Sequence, residues 1–268
     1  MSVSFLSMSW SLIEFPFIVF VLTFVVLWLS AETGLYLRRR HDPGRNERQD
    51  LNVILTATLT LLGLVIGFSF SMAVTRYDQR KNYEENEATA IDTEYVRAGL
   101  LPPAEASAVR KLLTDYLDQR ISFYITFDER RIEQINASTA SLQRDLWSAV
   151  QTASTAQPTA VVALTVSGLN DVLTSQGYTQ ASWWNRIPIA TWALMGLIAI
   201  CSNVLFGYVA HSEKKSKLLF VLPLIVAISF FSIADLDSPR TGVIRVHPLN
   251  LMSVSRRVAS AIGPSDFN

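Results

Sequence analysis

Long apolar blocks alternate with polar ones along this chain of 268 residues. Four of the apolar blocks match or approach the roughly 20 residues that a helix needs to cross a bilayer. These segments are residues 13–37, 51–74, 187–209 and 218–234. The first is longer than a signal-peptide core and no basic residue precedes it, so we interpret it as a retained span. The pattern predicts a multi-pass membrane protein.

The second apolar segment predicts one long helix that leaves the membrane and continues into water. Between Gly67 and Gly99 the chain has neither glycine nor proline, the two residues that most disfavour helix interiors. The polar part of this stretch is rich in Glu, Ala, Lys, Arg and Gln, and the signals that end a helix come at Gly99 and Pro102. A helix over residues 51–98 would extend roughly 70 Å, more than twice the thickness of the hydrocarbon core.

The polar region between the second and third segments predicts helices throughout. Apolar residues recur at three- and four-residue spacing over residues 104–127, 129–150 and 158–173, and Gly177 is expected to end the last helix. With the extension of the second span, these helices predict an antiparallel bundle. The predicted fold class is all-α, with two transmembrane hairpins and an inserted extramembrane helical bundle. Its parts are a first hairpin (1–75), the bundle (76–186), a second hairpin (187–234) and an extramembrane C-terminal tail (235–268).

Charge in the short connections predicts the orientation. Residues 38–50 carry five arginines and residues 210–217 carry three lysines, which the positive-inside rule places in the cytoplasm. We therefore expect a multi-pass protein of the cell inner membrane with its bundle on the extracytoplasmic side. Basic residues that follow the second and fourth spans favour the opposite orientation: Arg76, Arg80, Lys81, Arg240, Arg245, Arg256 and Arg257.

Composition narrows the class of protein. The chain has 23 Lys and Arg residues against 23 Asp and Glu residues, so no binding to nucleic acid is expected. Its single cysteine, Cys201, excludes an internal disulfide and a cysteine metal cluster. The three histidines are scattered without metal spacing, and Asp235, Asp237 and His247 could ligate a metal but have only their spacing to support it. Since no phosphate loop or nucleophile elbow occurs either, we expect no enzyme, no cofactor and no metal.

Small and hydroxylated residues mark one face of the second span. Thr56, Thr60, Gly63, Gly67 and Ser71 recur at three- or four-residue intervals. Such residues let helix backbones approach closely in lipid, which favours simple helix packing. In a ring of subunits the same face would line a pore, where hydroxyl groups replace part of the hydration shell of an ion. The sequence leaves both interpretations open.

Carboxylates on the polar extension of this helix also have two interpretations. As part of a solvated face, Glu84 would pair with Arg80 one turn earlier. In a symmetric ring, Glu84, Glu87 and Glu94 would instead form an acidic vestibule that concentrates cations. Glu32, near the end of the first span, either reaches the interface beside basic residues or serves as an intramembrane ion ligand.

Acidic and basic residues cluster where the helices are expected to leave the membrane. The segment DLDSPRTGVIRV, residues 235–246, follows the short fourth span, and its proline and glycine indicate an ordered turn. We interpret the cluster as a structural lock that joins the helix ends, or as a gate at the pore mouth. Its members are Arg76, Asp78, Asp235, Asp237, Arg240 and Arg245.

Four segments of the chain resemble a family of bacterial membrane proteins described as bestrophin-like. They are GFSFSMAVTRYDQR at 67–80, EATAIDTEYVRA at 87–98, LLP at 100–102 and the turn segment at 235–246. The resemblance covers nearly the whole chain. It implies kinship with bestrophins, which are oligomeric anion channels with a helical domain outside the bilayer. The aromatic pore-neck motif and the acidic calcium clasp of bestrophins have no identifiable counterpart in this sequence.

Two functions are compatible with this organisation. The first is a homo-oligomeric ion channel whose second spans line the axis, with the lipid bilayer, further copies of the chain and inorganic ions as its partners. The second is a membrane-anchored sensor or scaffold whose bundle binds a ligand or a protein partner. A sensor would pass its signal to a cytoplasmic output domain, and the expected cytoplasmic connections are too short to hold one. The channel is therefore the preferred prediction.

Overall fold

The structure is a computed structural model that describes residues 15–40, 44–156, 159–210 and 218–261. Within these residues it contains eight α-helices and one 3₁₀ turn, and no β-strand. The helices are α1 (Pro16–Arg40), α2 (Arg45–Arg97), α3 (Pro103–Ile125), α4 (Glu129–Ala156), α5 (Ala160–Trp184), α6 (Ile189–Val209), α7 (Leu218–Asp237) and α8 (Leu249–Ala261), with the 3₁₀ turn Ala98–Leu100 after α2. The predicted all-α fold class is confirmed.

Four stretches of the described chain are long and apolar enough to cross a membrane. They lie in α1, in α2, in Val162–Val209, which contains α6, and in α7. α2 is a single helix of 53 residues, about 80 Å long. The four candidate spans and the unbroken second helix agree with the prediction from sequence.

The chain folds into two compact units, and α2 contributes to both. The first unit comprises the described residues up to Tyr77 together with Arg186–Arg245. The second comprises Asp78–Asn185 together with the described residues from Val246 onwards. Apolar residues of α1, α2, α6 and α7 form the core of the first unit: Leu27, Leu62, Ala73, Met195, Ala199, Val226, Phe230 and Ile233. Because lipid is as apolar as these side chains, close packing holds such a core together more than burial does.

A very close helix contact joins α1 and α6 in the first unit. A Cβ atom added to Gly207 would come within 3.0 Å of the Ala31 carbonyl group, and one added to Gly34 would come within 3.0 Å of the Val204 carbonyl oxygen. Only hydrogen atoms fit at these two points. The two backbones are therefore close enough for weak Cα–H···O contacts, which explains why both positions are glycine.

The second unit packs the polar half of α2 with α3, α4, α5 and α8. Pro103 occupies the first turn of α3, where its missing N–H group costs nothing. The apolar stripes that the sequence predicted for the bundle helices supply buried core residues: Val109, Leu113, Leu117, Leu146, Val150, Leu169 and Val172. Helical periodicity therefore identified the inward faces of α3, α4 and α5 correctly.

The predicted end of α5 is wrong. The helix does not stop at Gly177 but continues to Trp184. A glycine inside a helix costs about 1 kcal/mol. Near the helix end, Trp183 packs against Phe123 and Tyr124, with ring centroids 4.9 and 5.4 Å apart. Aromatic packing of this kind outweighs the glycine penalty and extends the helix.

The predicted C-terminal tail contains a helix that sequence reasoning missed. Leu251, Val254 and Val258 of α8 are buried at three- and four-residue spacing. The basic connection predicted at 38–50 is also largely helical, because α1 extends to Arg40 and α2 begins at Arg45. Residues 41–43 of that connection and 211–217 of the second connection lie outside the described residues.

Candidate functional site

The candidate pore face of α2 lies opposite the face that packs into the first unit. Leu55, Leu62, Ser69 and Ala73 form the packed face and are buried. At about 100° per residue, the five predicted pore residues fall on the other side of the helix. All five are exposed: Thr56, Thr60, Gly63, Gly67 and Ser71.

No other part of the described chain packs closely at the two glycines of this face. A Cβ atom added to Gly63 or Gly67 would have no atom within 4 Å. No helix of the described chain packs closely at these two glycines, so helix packing against a further copy and pore lining both stay predictions. The hydroxyl groups of Thr56 and Thr60 donate to the carbonyl oxygens of Asn52 and Thr56, each 2.8 Å away. The face is thus open, uncharged and free of unsatisfied threonine donors.

The exposed face continues beyond the apolar half of α2 as a row of uncharged polar side chains. Its members follow Ser71 at three-, four- or seven-residue intervals and are all exposed: Thr75, Asn82, Asn86, Thr89 and Thr93. Hydroxyl and amide groups can solvate ions of either sign. Charged residues of both signs, Asp78, Lys81 and Glu85, are exposed beside the row. The polar half of the face is therefore of mixed charge and not strongly acidic.

The three predicted vestibule carboxylates lie on the buried side of α2. Glu84, Glu87 and Glu94 are at most 1% exposed, and Arg80 is buried on the same side. They share the helical phase of the core residue Ala73, not that of the exposed face. Buried carboxylates cannot line an open vestibule or form a solvated face, so the exposure that both interpretations require is wrong for these three residues, while the pair of Glu84 with Arg80 stays a prediction.

Glu87 joins α2 to two other helices. Its carboxylate accepts a hydrogen bond from Arg120 Nε at 2.5 Å and one from Thr179 Oγ1 at 3.0 Å, and Tyr124 Oη lies 3.5 Å away. Burial alone would lower the pKa of Arg120, but the Glu87 carboxylate reverses this effect and raises it. Burial and the same carboxylate raise the pKa of Tyr124. Both charged partners are fully buried, so this group anchors α2 to α3 and α5 and has no access to passing ions.

Glu84 caps the N-terminus of α8. One carboxylate oxygen accepts hydrogen bonds from the backbone N–H groups of Asn250 and Leu251, both at 3.0 Å, and the other accepts from Asn250 Nδ2 at 2.7 Å. The first N–H groups of a helix have no partner within it and carry partial positive charge, so a carboxylate there is stabilising. Further along α8, Arg257 pairs with Asp92 of α2. α2 therefore holds α8 at two points.

Glu94 differs from the other two acids because its carboxyl group has no hydrogen-bond donor in the described part of the chain. Neither oxygen has a hydrogen-bond partner among the described residues. The group lies against Gly168 of α5, beside the guanidinium of Arg97. Burial raises the pKa of Glu94 to about 8, Arg97 acts to lower it, and Asp171 raises it further. Glu94 belongs to the second unit, well beyond the apolar residues 51–74, and at neutral pH most of it is protonated.

Two buried aspartates fix the turn after α7. Asp235 accepts hydrogen bonds from the backbone N–H groups of Val243 and Ile244, at 2.5 and 2.9 Å. Asp237 accepts from the N–H group of Ile187, two residues before the start of α6, at 3.1 Å. Both carboxylates are buried, and each accepts hydrogen bonds from backbone donors. Within the first unit, the two acids therefore tie the end of α7 to the turn that follows it and to the start of α6.

The other members of this cluster are less buried. Arg76, Arg240 and Arg245 are half-buried, and the last two have interaction partners. Asp78 is exposed, and so is Glu32 in α1. The roles of these five residues as lock, gate or ion ligand stay predictions.

Sequence reasoning missed Arg120, although its position in α3 carries a signal. It falls in the same helical stripe as Val109, Leu113 and Leu117, all of which are buried. A charged residue at a core position requires a buried partner of opposite charge. Glu87 occupies a core position of α2, so pairing these two residues would have identified the anchor.

These observations define the class of the protein. An all-α chain with four helices able to cross a membrane and an inserted helical unit is a polytopic membrane protein. The sequence-family model of the bestrophin-like domain matches residues 21–251, and the chain belongs to the bestrophin-like family. The resemblance inferred from the four sequence segments is confirmed.

Solved structures share this fold. A variant of a bacterial bestrophin homologue from Klebsiella pneumoniae has a TM-score of 0.65 and 14% sequence identity, and the match covers 91% of this chain and 99% of that one. A second variant of a homologue from that organism has a TM-score of 0.64 and 12% identity, covering 91% and 98%. A structure described as a membrane protein has a TM-score of 0.64 and 14% identity, also covering 91% and 98%. At such identities the likeness shows the fold alone, and no protein of curated function matches the sequence.

Proposed function

We propose that this chain forms a homo-oligomeric ion channel in which α2 lines the central axis. The observation that carries the proposal is the face of α2 from Thr56 to Thr93. Its residues are small, hydroxylated or polar, and they are exposed in the apolar half of the helix as well as in the polar half. A single copy with four spans leaves little room for a water path, whereas a symmetric ring surrounds one with the same face repeated. Membership of the bestrophin-like family supports a membrane channel at this coarse level. No catalytic step is part of the proposal.

In the proposed ring, the vestibule wall differs from the one expected from sequence. The three carboxylates predicted to line the vestibule are buried in the bundle and therefore do not line it. The exposed row that takes their place is Thr75, Asn82, Asn86, Thr89 and Thr93. Because Asp78, Lys81 and Glu85 flank this row with charges of both signs, it gives no strong preference for cations. The sign of the permeant ion is therefore a separate measurement.

Two adjacent residues test the axial placement of α2. Thr60 and Leu61 are both exposed, but they point about 100° apart around the helix. Each is replaced by cysteine in a Cys201→Ser background, and ion flux from liposomes is recorded before and after a charged thiol reagent. Flux through Thr60→Cys should fall several-fold and flux through Leu61→Cys should not change. Equal inhibition of the two variants, or inhibition of Leu61→Cys alone, would contradict this placement.

Subunit number tests the oligomeric part of the proposal independently of conduction. Mass photometry of the full chain in mild detergent should show a species several times the mass of one chain. A monomer that also gives no flux in liposomes would contradict the channel. It would favour the alternative, a membrane-anchored sensor or scaffold whose helical bundle binds a ligand or a partner.

We further propose that the cluster at the end of α7 acts as a lock and not as a gate. Asp235 and Asp237 bind backbone N–H groups, contacts that fix a turn and that an ion would have to displace. Asp237→Asn should therefore reduce assembly of the oligomer and leave ion selectivity unchanged in the channels that do assemble. A variant that assembles normally but has altered selectivity would indicate a gate.

Orientation belongs to the same proposal. On the positive-inside rule, the basic connections at 38–50 and 210–217 face the cytoplasm and the bundle faces outward from the inner membrane. A cysteine at the exposed Thr155 of α4, in the Cys201→Ser background, should then react with an impermeant reagent added to cells with a permeabilised outer membrane. Reaction of this cysteine only after the cells are lysed would indicate the opposite orientation.

A further inference from the structure

We infer that Glu94 is a proton-binding site beside the proposed ion path, and that Arg97 stabilises its ionised form. The proton site itself follows from the geometry of the second unit. Its consequence for ion selectivity rests on the proposed function.

The carboxyl group of Glu94 is enclosed, and the described chain supplies no hydrogen-bond donor to it. It is fully buried, and neither oxygen has a partner among the described residues. The contact with α5 is tight, because a Cβ atom on Gly168 would overlap Oε2 of Glu94 and would lie 2.6 Å from Arg97 Nη1. A carboxylate in such a place loses its hydration and gains no hydrogen bond in exchange, whereas a neutral carboxyl group loses far less. The geometry therefore favours the protonated form.

Charged groups on two elements, α2 and α5, act on this carboxyl group. Arg97, on α2 itself, lies at the same glycine, and Asp171 of α5 lies 3.8 Å from Arg97 Nη1. Arg110 of α3 is turned to Tyr95, with its Nε donating to the Tyr95 carbonyl oxygen at 3.2 Å and its guanidinium 5.1 Å from the ring centroid. The pair between Arg97 and Asp171 is long and partly exposed, so it is weak. Arg97 is therefore available to an ionised Glu94.

The proton equilibrium falls within the range that cells and electrophysiology reach. Burial, opposed by Arg97, raises the pKa of Glu94 to about 8. Below this pH the charges of Arg97 and Asp171 offset each other and Glu94 is neutral. Above it the group of three carries one net negative charge. Protonation changes from nearly complete to nearly absent over about two pH units.

Glu94 itself is buried, but its charge would act on the proposed path through the residues beside it. Arg97 and Asp171 line a cavity of about 290 Å³ together with Asn86, Thr89 and Thr93, three members of the exposed row of α2. A negative charge added there attracts cations and repels anions. We therefore expect the anion-to-cation permeability ratio to fall as the pH rises through about 8.

Infrared difference spectroscopy of the full chain in detergent tests the proton site without any ion flux. The carbonyl stretch of a protonated carboxyl group should disappear with a midpoint near pH 8, and this band should be missing from Glu94→Gln. Glutamine has the shape of the neutral carboxyl group, so the variant should fold, and Glu94→Leu serves as a second neutral variant. Glu85→Gln, which removes an exposed carboxylate from the same helix, should keep the band, and Arg97→Gln should move the midpoint upward. A band that persists in Glu94→Gln, or its absence from the unmodified protein, would overturn the inference.

Reversal potentials in a salt gradient test the consequence for selectivity. The permeability ratio of the unmodified channel should change with pH as described, and that of Glu94→Gln should stay at the acidic value. If the band is present but no flux occurs at any pH, the proton site stands and the proposed channel function fails. If flux occurs and the ratio depends on pH equally in both proteins, the link between Glu94 and the path is overturned.

Discussion

The substitution Gly207→Ala tests the close contact between α1 and α6. The added methyl group would come well inside 3.0 Å of the Ala31 carbonyl group. A helix backbone does not yield locally in a packed core, so the two helices would have to separate by on the order of 1 Å. The reciprocal contact of Gly34 with Val204 would loosen with it.

The expected cost follows from two opposing effects. Overpacking of this kind destabilises by about 1–3 kcal/mol, while alanine recovers up to about 1 kcal/mol through its higher helix propensity. We expect a net loss of about 1–2 kcal/mol, which lowers the melting temperature of a chain of this size by roughly 2–8 °C. Gly196 lies in the same helix, and a Cβ atom added there meets nothing within 4 Å. Gly196→Ala should therefore leave the melting temperature unchanged or raise it.

Thermal unfolding of the full chain in detergent, followed by tryptophan fluorescence, measures both variants side by side. Gly34→Ala should resemble Gly207→Ala, and the double variant should lose less than the sum of the two, because one separation of the helices relieves both overlaps. If Gly207→Ala has the same melting temperature as Gly196→Ala, and this temperature is at or above that of the unmodified protein, α1 and α6 are not in close contact and the reasoning is refuted.

Two further substitutions probe the second unit. Arg120→Met should destabilise the chain by about 3–5 kcal/mol because it leaves the Glu87 carboxylate buried without its partner, and adding Glu87→Gln should restore part of the melting temperature. Single and double variants that melt alike would contradict the buried pair. Glu84→Gln should speed hydrogen exchange in the first turn of α8 roughly tenfold or more, since charge-assisted hydrogen bonds of about 1.5–3 kcal/mol are weakened. Glu85→Gln, exposed on the same helix, should leave that exchange unchanged, and equal rates in the two variants would argue against the cap.

The fold was largely predictable because its determinants are local. Block length identifies the spans, and the absence of glycine and proline predicts that α2 is unbroken. The contact between Gly34 and Gly207 was not predictable in this way. Gly34 is the one glycine of α1, Gly207 does not form a four-residue pair with Gly196 of α6, and the two contact residues lie far apart in the sequence. The pair Gly63 and Gly67 has the spacing of a packing motif, yet which helix approaches a motif is a property of the tertiary structure.

The candidate site was predictable only in part, because the charge of a side chain suggests exposure to water while its helical phase decides which side of the helix it occupies. Glu84, Glu87 and Glu94 were expected in water since they are acidic. The apolar residues Ala88 and Ile91 lie among them on the same side of the helix and are also buried. Applying the 3.6-residue period to the whole of α2 would have placed the acids inside. Their partners on α3, α5 and α8 would still have needed the structure.

α2 therefore has a buried side and an exposed side in each unit, and the two sides carry different kinds of residue. In the second unit its buried side carries three carboxylates, and each is compensated differently: Glu87 by a guanidinium, Glu84 by a helix N-terminus, and Glu94 by a proton. Its exposed side does not contribute to this anchoring and carries the small and uncharged polar residues of the proposed path among charged and large apolar side chains. The two sides should therefore separate fold from function. Substitutions at Thr60 should change flux without changing the melting temperature, whereas Arg120→Met should lower the melting temperature and reduce flux only through loss of folded protein.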